Sequence, residues 1–133
     1  MLQLWIYMLL MDLLIPALMI GIGILFQKRP PKRINGIYGY RTKRSMQTQE
    51  TWNFAHRYFG ALWVKIGLVL LPLSVIPLVF VYGKETDLVA TVGCIVPGVQ
   101  ILPMIVPIFF TERALKESFD EYGRPYKMKS KKL

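Results

Sequence analysis

Two arginines and two acids set out the chemistry this sequence can support. Arg41 and Arg57 carry planar guanidinium forks suited to a carboxylate or a phosphate, and Glu112 and Asp120 follow the last apolar run. The arginines have three readings: pairing with Glu112 or Asp120, contact with an anionic lipid headgroup or peptide carboxylate, or charge that only sets topology. Asn35, Tyr40, Thr42, Trp52, Asn53 and Arg124 complete the candidate ligand or cap network.

His56 is the only histidine, and no second histidine or cysteine stands at ligand spacing. A hydrogen-bonded histidine on a helix face is expected, with a pH-responsive role as the alternative and no metal site. Cys94, alone in an apolar run, is expected to be a small buried hydrophobe. Gly36-Ile37-Tyr38-Gly39 has the spacing of a phosphate loop but no strand–loop–helix setting, so it is read as a turn. No Ser–His–acid order, inward carboxylate pair or cofactor fingerprint stands out, so neither an enzyme nor a cofactor is expected. An enzyme acting on lipid headgroups would need His56, Arg57 and Glu112 in one cleft.

Asp12 and Gln100 are polar residues inside apolar runs. An acid there is costly and is by default a functional candidate. The two lie at similar depth from the outer surface, so a hydrogen bond between them is expected, with Asp12 protonated or paired. A ligand-linked or proton-linked role is the alternative.

The elements that hold these residues are apolar. Of 133 residues, 53% are hydrophobic and 19% charged, and the net charge is +9. That pattern excludes an ordinary soluble nucleic-acid binder, which needs no long apolar runs. Spans are expected at about 2–26, 58–82 and 88–110, with a helix starting near Thr48 and carrying Glu50 in its first turn ahead of the second span, then a helix at about 111–122 and a basic tail at 123–133. Gly21 and Gly23 offer a close helix approach, and Trp52, Phe59 and Trp63 read as anchors at the inner boundary. The 27–57 connection carries eight Lys or Arg and the segment after the third span seven, against Lys84 alone in the outer connection. The positive-inside rule then puts the N-terminus outside and the C-terminus in the cytoplasm.

The central motif Asn35, Gly39, Tyr40-Arg41-Thr42, Ser45-Met46, Trp52, Ala55, Arg57 and Gly60 resembles the SdpI family. So does the later set Thr111-Glu112, Leu115, Phe119-Asp120, Gly123 and Arg124. The resemblance covers roughly residues 20–125. It departs at His56, where the family usually has Asn before Arg57, and in lacking the founding member's extra N-terminal membrane portion. The family is named for immunity to a secreted killing peptide, the sporulation-delaying protein. In the founding member, the toxin-bound form is thought also to capture a transcriptional repressor.

The expected fold is all-α: an integral membrane three-helix bundle, one domain over 1–133, capped in the cytoplasm by the 27–57 connection and the C-terminal amphipathic helix. By resemblance the expected function is immunity to, or sensing of, a membrane-active peptide toxin bound in or at the cell membrane. The alternative is a small transporter or accessory subunit for lipid or peptide. Expected partners are membrane lipids, a hydrophobic peptide toxin, a transcriptional repressor and a second copy of the chain, with no direct nucleic acid.

Overall fold

The computed structural model describes residues 2–126. They form three helices: α1 (Leu2–Lys28), α2 (Gln49–Phe80) and α3 (Thr86–Ser118). All three are long and apolar enough to cross a membrane. At about 1.5 Å rise per residue they reach roughly 40–50 Å, more than the roughly 30 Å of a hydrocarbon core. The protein is thus an all-helical, multi-pass membrane protein.

The helix bounds differ from those read off hydropathy. α2 begins at Gln49, beside the start expected near Thr48 and well before the apolar run, because polar caps rather than grease define its start. The segment expected to continue as a helix over 111–122 is the end of α3, which stops at Ser118. Beyond it, Phe119 bridges Pro125 and Gly123 adopts a positive φ of 77°. The part of the basic tail from 127 to 133 lies outside the described residues.

The described residues gather into two compact units. The first takes the chain up to Ile22 and Trp63–Ile105; the second takes Gly23–Leu62 and the chain from Val106 onward. In the first, Leu78, Val81 and Val89 form a core against Trp5 and Met8. Close backbone approach is made by Gly67, where a Cβ would come within 3.1 Å of the Pro16 carbonyl oxygen. The Trp5 indole donates to the Leu78 carbonyl at 2.6 Å, and the Trp63 indole donates to that of Met104 at 3.2 Å. Cys94, expected to be buried, is exposed on this apolar unit.

In the second unit Gly60 lies against the backbone of Gly23, whose carbonyl oxygen a Cβ would meet at 2.7 Å. Gly21 has open space around it and makes no such approach. Phe26 packs edge-on to the His56 ring at 4.9 Å. Trp52 and Phe59 are buried here, not set as boundary anchors.

Candidate functional site

The second unit builds a polar collar from its caps inward. Thr48 caps α2: its hydroxyl accepts the Thr51 N–H at 3.1 Å, while the Thr51 hydroxyl accepts the Thr48 N–H at 2.9 Å. This is a reciprocal capping box with threonine in place of glutamate at the third position. Asn35 folds the preceding loop, its Oδ1 accepting the N–H groups of Ile37 and Tyr38 at 2.9 and 2.7 Å. Gly39 then takes a φ of 114°, and a Cβ there would meet His56 Nε2 at 2.6 Å. Only glycine suits both conditions.

That turn aims the Tyr40 N–H at His56 Nε2, 2.9 Å away. Nε2 is therefore the unprotonated nitrogen, and Nδ1–H donates to the Trp52 carbonyl at 2.7 Å. The Trp52 indole donates to the Pro31 carbonyl at 2.6 Å, tying the connection to α2. Glu112 closes the network: Oε2 accepts the Tyr40 hydroxyl at 2.6 Å and the Thr42 hydroxyl at 2.8 Å. Burial, the Glu112 hydrogen bond and its negative charge push the Tyr40 phenol above its ordinary range. Ser45, fully buried, donates to the Tyr40 carbonyl at 2.9 Å.

The expected arginine–acid pairing is not what holds this unit together. Arg41 is exposed and donates to the Gly36 carbonyl at 2.6 Å. Arg57 is exposed and makes no ion pair among the described residues; with Asn53 it lines a groove of about 790 Å³ beside Lys28, Arg29 and Lys32. Hydroxyls already occupy Glu112, so freezing two long exposed side chains would gain little. Asp120 serves its own loop, accepting the Arg124 and Tyr122 N–H groups at 2.9 Å each and the Arg124 guanidinium at 3.1 Å. The Arg124 N–H foremost holds the Asp120 carboxyl below its ordinary value. This loop is fastened by Gln47 to the Glu121 carbonyl at 2.6 Å and by Thr48 to that of Gly123 at 3.0 Å. Along α3, Arg113 and Glu117 pair at 3.4 Å, exposed on both sides.

His56, Arg57 and Glu112 do not share a cleft in the way a headgroup enzyme would need. His56 and Glu112 are engaged in the collar, and neither lines the groove that Arg57 lines.

The first unit holds the other pair of candidates. Pro16 has no N–H, so the carbonyl four residues earlier, that of Asp12, loses its helical donor. The Gln100 amide replaces it at 2.7 Å and also donates to the Ser74 hydroxyl at 2.6 Å. Asp12 and Gln100 therefore meet as expected in place, but through the Asp12 backbone and not its carboxyl. Both Asp12 carboxyl oxygens and Gln100 Oε1 have no partner among the described residues, although Asp12 is 0% and Gln100 2% exposed. Orphaned buried acceptors of this kind are rare and costly. Ser74 and Gln100 floor a groove of about 520 Å³ whose walls are apolar, among them Leu70, Val96 and Val99. The hydropathy reading overlooked Ser74; the signal for it was a lone hydroxyl between Pro72 and Pro77, in a helix with freed carbonyls.

The profile of the family described as the SdpI/YfhL protein family matches residues 32–111. The chain belongs to the SdpI/YfhL family. The matched stretch holds Tyr40, Thr42, Trp52, His56, Ser74 and Gln100, while Asp12, Glu112 and the Asp120 loop fall outside it. The chain is also similar to the uncharacterized protein YfhL of Bacillus subtilis (strain 168). They are 54% identical over 54 residues, 41% of this chain and 49% of that relative. The chain thus spans about half the length of the curated relative it matches. No solved structure matches this SdpI/YfhL-family chain.

Proposed function

We propose that this SdpI/YfhL-family protein binds a membrane-active, hydrophobic peptide within the bilayer, and so confers immunity to it or senses it. One observation carries the reading: an apolar groove floored by Gln100, whose Oε1 is buried without a donor, in the same hydrogen-bonded cluster as Asp12. Such a groove favours an apolar segment that brings a hydrogen-bond donor, since the donor recovers the cost of the orphaned oxygen. A plain acyl chain fills the walls and leaves the floor unsatisfied. Asp12 is sealed from solvent, which favours binding over a water-filled transport path.

Family membership adds the peptide class, the killing peptide after which the family is named. The reading has no chemical step. The charge count orients the chain with its N-terminus outside the cell membrane and its basic collar in the cytoplasm. There the collar would report occupancy of the groove, to a captured repressor or to a second copy of the chain.

The test is survival of cells sensitive to the sporulation-delaying killing peptide when they express this chain. Expression is expected to raise survival. Gln100→Leu, which removes the groove acceptor, is expected to weaken peptide binding about tenfold and reduce protection accordingly. Equal killing of expressing and non-expressing cells would overturn the reading.

A further inference from the structure

The groove beside the collar gathers four cations, Lys28, Arg29, Lys32 and Arg57, and no acid lines it. None of the four forms an ion pair with a described acid; the ion pairs among the described residues are Arg113–Glu117 and Arg124–Asp120. Clustered like charges repel one another, and an anion relieves that cost. Gln49, Asn53 and Arg57 follow at intervals of four, so they share one face of α2 toward the groove. The Gln49 amide donates to the Lys32 carbonyl at 2.6 Å and to Asn53 Oδ1 at 2.9 Å. It thereby pins the basic connection across that face, and the Asn53 amide N–H₂ has no partner among the described residues. Charge needed only for topology would require none of this.

Depth chooses the anion. The apolar run of α1 ends at Phe26, and Lys28, Arg29 and Lys32 follow within six residues. Basic side chains directly beyond a span stand at the level of lipid phosphates. A zwitterionic choline lipid would also bring its quaternary ammonium to four cations, whereas phosphatidylglycerol brings a phosphodiester and hydroxyls. We propose that this groove is a binding site for the headgroup of an anionic phospholipid, with Arg57 and Lys32 on the phosphate and Asn53 donating to the headgroup. This assignment is independent of the peptide reading, because no residue of the apolar groove takes part.

The experiment is native mass spectrometry of the full chain in detergent, titrated with phosphatidylglycerol or phosphatidylcholine of matched acyl chains. Soluble glycerol phosphate is the third arm. Phosphatidylglycerol is expected to bind in clear preference to phosphatidylcholine, and equal glycerol phosphate is expected not to displace it. Arg57→Gln should weaken phosphatidylglycerol about fivefold and Arg57→Gln with Lys32→Gln about 25-fold, at roughly fivefold per removed charge. Lys43→Gln with Arg44→Gln removes as much charge outside the groove and should leave binding unchanged. If Arg57→Gln lowers the helical content, Lys32→Gln in the exposed connection carries the test alone. Equal binding of the two lipids would overturn the proposal, as would equal weakening by the Lys43 and Arg44 pair. Displacement by glycerol phosphate would overturn the lipid as occupant.

Discussion

Glu112 in the collar and Asp12 in the apolar unit are both carboxylic acids on long helices, yet their surroundings are opposite. Glu112 receives two hydroxyl donors, and the turns that deliver them are themselves capped and bonded. Asp12 receives none among the described residues, and its neighbour Gln100 leaves an oxygen bare as well. A fully satisfied polar network rigidifies the element that contains it. A buried orphan costs stability and remains only where something else favours it, often a ligand. On the proposed reading the collar is scaffold and the groove captures the ligand. Removing a collar group should therefore cost stability, and removing the buried acid should cost function.

The largest effect is expected at Gly39. Gly39→Ala meets both the positive φ and the His56 ring. It should lower stability by about 1–3 kcal/mol from backbone strain and by about 1 kcal/mol more as the Tyr40–His56 bond is lost. Denaturation in mixed micelles, followed by helical content, measures this. Next is Glu112→Leu, which strands the Tyr40 and Thr42 hydroxyls and should cost about 1–3 kcal/mol in the same assay. An unchanged transition would break the scaffold assignment.

The smallest effect sharpens the same contrast through pH. The Tyr40 phenol is harder to ionise in the folded chain than its ordinary value of 10.0. As pH rises the unfolded chain gives up that proton first, so the Tyr40 contribution is intact below about pH 10 and is lost above it. Tyr40→Phe should cost about 1 kcal/mol at neutral pH and flatten the alkaline decline. A decline of the same steepness in the variant would place its source elsewhere.

Much of the fold could be read from the residues alone, since three long apolar runs leave few alternatives in a bilayer. Thr48 was readable as a cap because a β-branched hydroxyl precedes an acid in the first turn. Two features were not readable. Counting charges paired Arg41 and Arg57 with acids, but the nearer hydroxyls of Tyr40 and Thr42 reached Glu112 first. That outcome depends on where the Gly39 turn points the chain. Depth matching brought Asp12 to Gln100, but not to the right atom. The clue was Pro16, four residues after Asp12, which frees a carbonyl rather than a carboxyl.

The most direct measurement is Asp12→Leu, assayed for both micelle stability and survival under the killing peptide, beside Glu112→Leu. Replacing an unpaired buried acid with a hydrophobe is often neutral or stabilising. The expected result is a chain at least as stable as the parent that no longer protects. A variant that protects fully, or that loses as much stability as Glu112→Leu, would contradict the division between scaffold and site.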